Sequence, residues 1–370
     1  MLREAGRALP DDVEIDRLLA SRLVWMRRER EAVQVLRRRI DENVARVECW
    51  RDLRATWQAS APELAPLALG SIAVLGNASA DELEALRARP VKAGRATPGS
   101  FGPAALASIY GASIYGTDAG SPLMAVLATL PEAFSRIYPP DLDGFGLGSR
   151  DKITARSGHP LRQLCDRVAA IFGVGEYDLY VHRVRARGVA VELSEPVSIL
   201  VPASITEHSE AGQVFLVARA FANVAMRLHV ADKLMPREIE VLVASAVRAF
   251  APGFGAGLTS EDILDDQMRR TQKALSRKAR RALEEATPRY VQAPPIEFSS
   301  WCRSVQLGAV RAAALVADDL VATVEGLRKT ERDLAHVDPR DLVRTPLVGD
   351  LVRFWASDAA IDLRRRASLL

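Results

Sequence analysis

Three short strand-like runs stand together near the middle of the sequence, and they limit the folds open to the chain. The runs are YDLYVHRV, GVAVELS and VSILVPASI, between residues 177 and 205, and they are rich in β-branched and aromatic residues. Apolar residues at helical spacing precede them, from Leu161 to Phe172, and further helical patterns follow to near the C-terminus. A small sheet within a predominantly helical chain predicts an α+β fold.

A spacing of 34 residues relates two segments near the start of the chain. VEIDRLL begins at Val13 and VECWRDL at Val47, with Val, Glu, Arg and Leu at matching positions. The apolar periodicity within each copy predicts two helical hairpins, with helices over about 13–27 and 30–43, then 45–60 and 62–75.

These hairpins resemble the tetratricopeptide repeat, a helix–turn–helix unit of about 34 residues. The resemblance implies that large residues of the second copy face apolar residues of the first, namely Trp50, Leu53 and Trp57 against Leu19, Leu23 and Ala32. The second copy departs from the repeat at Pro66, where a small helix-contact residue is expected. Because about three repeats are needed to bury such a core, we expect the pair to pack on the rest of the chain or on further repeats. Two unrelated amphipathic hairpins are the alternative.

The composition is that of an ordinary globular protein. Of the 370 residues 48% are hydrophobic and 26% are charged, and the net charge is +3, so no global field favours nucleic acid or a membrane. No apolar stretch reaches the roughly 20 residues of a membrane span. The three separated cysteines predict neither a disulfide framework nor a thiolate zinc site and favour the cytoplasm. We predict three segments, a helical repeat-like segment at 1–86, an irregular connector at 87–157 and an α+β domain at 158–370.

The segment EAGQVFLVARAFANVAMRLH, residues 210–229, has the apolar pattern of an internal helix and follows the last strand directly. This order of elements resembles that of gluzincin metallopeptidases of the CAAX-processing and heat-shock protease type. In that family the helix carries His-Glu-x-x-His, which supplies two zinc ligands and the general base. Aligned on the lead-in FLVA, the two histidine positions hold Arg219 and Asn223, and the base position holds Ala220.

The third ligand of the family is a glutamate on a later helix, and QLGAVRAA places Gln306 at that position. Near the C-terminus, FWASDAAIDLRRR resembles the helix start that ends such domains, with Ser357 and Asp358 at its N-cap. The resemblance therefore implies a degenerate peptidase-like domain over residues 158–370. Arginine opposes a bound cation, amides are poor zinc ligands and alanine carries no proton. We accordingly expect no catalytic residue, metal or cofactor there, but a polar cluster in place of zinc. A plain core helix in an unrelated α+β domain is the alternative.

The segment RRTQKALSRKARRAL predicts a basic helix over residues 268–286. Its cations recur one or two turns apart, at Arg269, Arg270, Lys273, Arg277, Lys278, Arg280 and Arg281. Such a face suits nonspecific contact with the phosphates of nucleic acid or anionic lipid. A solvated helix balanced by Glu284 and Glu285 is the simpler interpretation.

The favoured hypothesis is a noncatalytic protein-interaction or scaffold protein that binds another protein through its N-terminal hairpins. One alternative is a metal-dependent hydrolase with an unrecognised site. The run TEHSE does place Glu207, His208 and Glu210 together, but at a helix start this pattern favours capping. The other alternative is a nonspecific nucleic-acid binder that uses the basic helix at 269–281.

Overall fold

The computed structural model describes residues 12–111, 114, 120–184 and 188–370, and these form two compact units. The first unit comprises the described residues up to Ala96, together with Ser209–Phe215 and Ala314–Leu370. The second comprises the described residues within Thr97–His208 and Leu216–Ala313. Each unit is therefore discontinuous in sequence, while the three consecutive segments drawn from the sequence stay a prediction.

Helices account for most of the described residues. In chain order they are α1 (Val13–Trp25), α2 (Glu29–Glu42), α3 (Val47–Ser60), α4 (Ala65–Val74), α5 (Ala80–Ala88), α6 (Pro103–Tyr110), α7 (Pro122–Leu127), α8 (Pro131–Ile137), α9 (Pro160–Phe172), α10 (Glu210–Ala225), α11 (Val230–Lys233), α12 (Pro236–Arg248), α13 (Glu261–Ala274), α14 (Arg277–Gln292), α15 (Phe298–Ala317), α16 (Leu320–Thr330), α17 (Pro346–Trp355) and α18 (Asp358–Arg366). Every one of them within the described residues is too short or too polar to span a bilayer.

The N-terminal hairpins of the first unit begin where the 34-residue spacing predicts, at Val13 and Val47. Asp12 caps α1 by accepting a hydrogen bond from the backbone N–H of Glu14 at 2.9 Å, which satisfies a donor that a helix start leaves free. Each helix from α1 to α4 packs on the next, and α1 also packs on α3. Pro66 lies in the first turn of α4, where the missing N–H costs no helical hydrogen bond.

The residues expected between the two hairpins are largely inside the first unit. Of the set named from the sequence only Leu19 is half-buried, and the others are buried, namely Leu23, Ala32, Trp50, Leu53 and Trp57. The C-terminal helices complete this core, because α16 packs on α4 and α17 packs on α16. The hairpins are thus covered by a later part of the same chain.

The second unit holds a three-stranded sheet made of β1 (Asp178–His182), β2 (Ala190–Glu192) and β3 (Ser198–Pro202). The strand order is β1-β3-β2, with β1 parallel and β2 antiparallel to the central strand. All five residues of β3 are buried, as the continuous apolar run predicts. The α+β class, mainly helical with one small sheet, is therefore confirmed.

The prediction of a single basic helix over 268–286 is wrong. The segment forms the end of α13 and the start of α14, separated by Leu275 and Ser276. Leu275 is buried with an extended backbone, and the Ser276 hydroxyl accepts a hydrogen bond from the backbone N–H of Ala279 at 3.2 Å. A buried anchor followed by a serine N-cap ends one helix and begins another. The N-cap predicted at Ser357 is confirmed, because its hydroxyl accepts from the backbone N–H of Ala360 at 3.2 Å.

Candidate functional site

The α10 helix places Asn223 inside the second unit, with 1% of its surface exposed. The Asn223 amide is held on both sides. Its Oδ1 accepts a hydrogen bond from the hydroxyl of Tyr110 at 2.8 Å, and its Nδ2 donates to both carboxylate oxygens of Asp232 at 2.9 and 3.0 Å. The buried amide therefore has its donor and acceptor groups paired, as a polar group in a core requires. We call Tyr110, Asn223 and Asp232 the amide cluster.

Local backbone structure brings Asp232 back to Asn223. The helix ends at Ala225, and Arg227 adopts a left-handed conformation with φ 57°. The backbone N–H of Leu228 then bonds the carbonyl of Asn223 at 2.8 Å, which is a common way of satisfying the last carbonyls of a helix. The chain reverses there, and α11 begins next to the end of α10.

An ion pair fixes α11 against the sheet. Lys233 donates from Nζ to both carboxylate oxygens of Glu192 on β2, at 2.8 and 2.7 Å. Glu192 is buried and also accepts from the backbone N–H of Asp141 at 3.2 Å. A buried carboxylate needs such partners, and the pair holds the neighbouring Asp232 at its place in the amide cluster.

Tyr110 connects the amide cluster to α15. It is the last residue of α6, which ends at Gly111 in a conformation with φ 79°. The Tyr110 ring lies over the backbone of Gly308, so closely that a Cβ at Gly308 would stand 2.4 Å from ring atom Cδ1. Glycine is therefore required at that position. Because Gln306 lies two residues before Gly308, the helix that carries Gln306 passes beside the amide cluster.

The four positions taken from the peptidase resemblance have different surroundings. Ala220 and Asn223 are buried, whereas Arg219 and Gln306 are half-buried, and both of these polar side chains have interaction partners. Arg219 is thus not sealed in the interior of the second unit. The convergence of Arg219 and Gln306 on one point stays a prediction.

An open cleft of about 990 Å³ lies elsewhere in the second unit. It is bounded by α7 and α8, by the turn between β2 and β3, and by one face of α14; Arg227 and His229 also line it. Its charged lining residues have both signs, with Arg227, Lys278 and Arg289 set against Glu132, Glu195 and Glu285. Because positive and negative side chains are balanced, the cleft favours neither an anionic nor a cationic ligand. The amide cluster does not line the cleft.

Of the titratable residues that line the cleft, His229 has the most strongly shifted pKa. Burial of the imidazole, with a smaller contribution from the positive charge of Arg227, lowers the pKa of His229 to about 4. Its Nδ1 has no hydrogen-bond partner within the described residues. The ring is therefore neutral at pH 7.

The seven cations of the basic segment are all exposed, as predicted for a solvated face. Two have carboxylate neighbours, since Arg281 lies 3.2 Å from Glu285 and Arg269 lies 3.6 Å from Asp266. The first turn of α14 contains no acidic residue. Cations at a helix start oppose the helix dipole, so stability of α14 does not explain their position.

Sequence reasoning found Asn223 but missed Tyr110 and Asp232. Tyr110 falls in the segment taken as an irregular connector, 113 residues before its partner, and no local pattern indicates that contact. Among the residues that the structure describes, no group of three or more His, Cys, Asp or Glu side chains is placed to hold a metal ion. No protein-family description, curated protein or solved structure matches the chain.

Proposed function

We propose that this chain is a noncatalytic protein-interaction protein, whose N-terminal hairpins of tetratricopeptide type bind another protein and whose second unit is a degenerate peptidase-like scaffold. The amide cluster is the observation that supports the scaffold role. At the position of the second zinc-binding histidine stands an amide whose hydrogen bonds to Tyr110 and Asp232 are already made. A tyrosine hydroxyl that donates to a neutral amide is not activated for proton transfer, and Ala220 has no proton to transfer.

Asp232 supports descent from a metal-binding helix. Histidine ligands of zinc usually donate their other ring N–H to a carboxylate, which orients the ring. Asp232 holds its carboxylate 2.9 Å from the side-chain nitrogen of Asn223, which is where such a partner is needed. In this proposal the orienting carboxylate has persisted after its histidine was replaced.

Restoring the motif tests this descent. The variant carries Arg219→His, Ala220→Glu, Asn223→His and Gln306→Glu, and we expect it to bind zinc at about one ion per chain by calorimetry and elemental analysis. The added substitution Asp232→Asn should weaken that affinity by about 10–100-fold. A folded variant that binds no zinc would leave only a plain core helix. Stoichiometric zinc in the unmodified protein, lost on His229→Gln, would instead favour the hydrolase alternative.

The N-terminal hairpin supports the interaction role. Three large apolar residues of α1 and its end are exposed, Leu18 by 53%, Trp25 by 71% and Met26 by 50%. Leu18 and Trp25 are two turns apart and share one face of the helix, and the Arg22 guanidinium lies over the Trp25 ring at 4.1 Å. A cluster of exposed apolar side chains of this kind is typical of a protein-binding surface.

The interaction is tested by quantitative affinity enrichment from native cells, with tagged wild-type chain and two variants. The double variant Leu18→Ser and Trp25→Ser should lose a partner that the wild type enriches. The matched control is Val291→Ser, at another exposed apolar residue, and it should retain that partner. Equal enrichment by all three chains would contradict a role for this surface.

A nonspecific nucleic-acid binder is the second candidate, favoured by the seven exposed cations and by the clustering of four of them at the start of α14. Phosphate neutralisation requires affinity to fall steeply as salt rises. Measuring binding to duplex DNA and to single-stranded RNA between low and physiological salt decides this candidate. Binding with no salt dependence would exclude it.

A further inference from the structure

The first unit contains a pocket of about 320 Å³ between α4, α5 and α16. Its walls are mostly apolar, formed by Pro66, Leu83, Leu86, Val91, Leu320 and Val321. The volume lies within the range of small-molecule sites. At roughly 30 Å³ for each heavy atom, the volume that one water takes in the liquid, it holds about ten atoms.

A buried hydrogen-bond donor without a partner lies at the base of this pocket. Trp355 lines the pocket with only 1% of its surface exposed, and its Nε1 has no acceptor among the described residues. Gly70 lines the same pocket, and the position of its missing Cβ is 3.7 Å from Nε1 of Trp355. The absent side chain leaves space beside the indole N–H. Buried tryptophans normally find an acceptor, so this one lacks a group that a ligand could supply.

Behind the indole ring lies a buried cation. The guanidinium of Arg364 stacks on the ring of Trp355 with Cζ 3.9 Å from the ring centroid, and its Nη1 donates to the Trp355 carbonyl at 2.7 Å. Arg364 has no exposed surface, and its Nε and Nη2 have no partner within the described chain. A buried positive charge with two unpaired donors is costly and makes the base of the pocket electropositive.

The mouth of the pocket adds further positive charge. Arg87 and Arg89 both line it, and Arg89 donates to the buried carboxylate of Asp318 at 2.6 Å. Asp319 also lines the pocket, and its side chain accepts from the backbone N–H of Ala322. Two arginines and one aspartate therefore line an apolar space, and this excess of one positive charge complements one negative charge on an apolar body.

We propose that this pocket binds a small apolar monocarboxylic acid of about ten heavy atoms, the size of octanoic acid. The carboxylate accepts from Nε1 of Trp355 and faces the positive charge of Arg87 and Arg89, with Arg364 behind the indole ring, while the hydrocarbon chain lies against the leucine and valine walls. The apolar body gains by leaving water, and the charge satisfies a donor that the protein leaves unpaired.

The experiment titrates the full chain with octanoate and follows its five tryptophan indole N–H signals by nuclear magnetic resonance, with the Trp355 signal assigned from its loss in Trp355→Phe. We expect the Trp355 signal to shift at one-to-one stoichiometry. The uncharged octan-1-ol should bind about tenfold more weakly or worse. By calorimetry, Trp355→Phe, which keeps the ring and removes the donor, should weaken octanoate by about tenfold, whereas Trp25→Phe should have no effect.

Two further variants keep the test decisive if Trp355→Phe does not fold. Gly70→Leu places a side chain in the pocket and should abolish binding, and Arg87→Gln should weaken it several-fold. The proposal is overturned if octanol binds as well as octanoate, if the Trp355 signal does not move at saturation, or if Gly70→Leu binds normally. Tighter binding of a short leucine-terminated peptide than of octanoate would overturn the free acid as the source of the carboxylate.

Discussion

The hydrogen bond between Tyr110 and Asn223 should have a measurable energy, because both partners are buried. Tyr110→Phe removes the hydroxyl and leaves Oδ1 of Asn223 without its donor at 2.8 Å, which should destabilise the second unit by about 1–3 kcal/mol. Asn223→Leu keeps a similar volume but removes the acceptor that lies 2.8 Å from the Tyr110 hydroxyl, at a similar cost. The Asp232 carboxylate is exposed, so in that variant it turns to water and adds little.

The double variant distinguishes this bond from general packing. Removing both polar groups leaves neither unpaired, and an apolar pair of similar shape is close to neutral. The cost of the double variant should therefore be smaller than the sum of the single costs by about 1–2 kcal/mol. Urea unfolding followed by far-ultraviolet circular dichroism measures all four free energies, fitted as two transitions if the two units unfold separately.

A control pair checks the cycle. Thr287→Val removes a buried hydroxyl that donates to the Leu283 carbonyl within its own helix at 2.8 Å, and its cost should add to that of Tyr110→Phe. Additivity of Tyr110→Phe and Asn223→Leu to within about 0.5 kcal/mol would refute the amide cluster as an energetic unit.

Three other outcomes follow from burial and charge. Trp57→Ala should lower the free energy of unfolding by about 3–5 kcal/mol, because Trp57 is only 3% exposed. Trp25→Ala, at an exposed position, should change it by less than about 0.5 kcal/mol. Similar losses for the two variants in urea unfolding would contradict the packing of the hairpins. Four cations of α14 should be replaceable by glutamine without a change in the circular dichroism spectrum, namely Arg277, Lys278, Arg280 and Arg281. Failure of that variant to fold would show that these side chains form ion pairs inside the protein. Protonation of His229 is resisted in the folded state, where its pKa is lowered from 6.5 to about 4, so the unfolded chain binds more protons as the pH falls below about 6.5. Between pH 8 and pH 5 the wild type should lose about 2 kcal/mol more stability than His229→Gln, and parallel curves would refute that assignment.

Local patterns in the sequence predicted the elements that local physics determines. The starts of α1 and α3 and the three strands follow from apolar periodicity and β-branched runs within a few residues. The break between α13 and α14 was missed because residues on both sides of it are good helix formers. Ser276 is a local N-cap signal, but the burial of Leu275 that accompanies it depends on packing. Burial is a tertiary property that overrides propensity.

The polar contacts of the amide cluster and of the pocket could not be predicted for a related reason. Asn223 was singled out by a resemblance, but its donor Tyr110 is 113 residues away and lies in a segment without periodicity. Arg364 stands in a run of three arginines that looks exposed, yet it is fully buried under Trp355. Long-range contacts of single side chains leave no periodic signal, because they depend on how whole elements pack.

The amide cluster and the buried pair Trp355 and Arg364 differ in whether their hydrogen-bonding groups already have partners, and this difference indicates different roles. In the amide cluster the donor and acceptor of Asn223 are both paired, so a ligand would have to break protein contacts before it gained any. At Trp355 and Arg364 three buried donor nitrogens have no partner in the described chain, so an acceptor that enters the adjoining pocket gains a hydrogen bond without breaking one. Since an unpaired buried donor costs about 1–3 kcal/mol, the stabilisation of the protein by a ligand should be greater at the pocket. The amide cluster is therefore a structural feature of this chain, and the pocket is the place to look for a bound molecule.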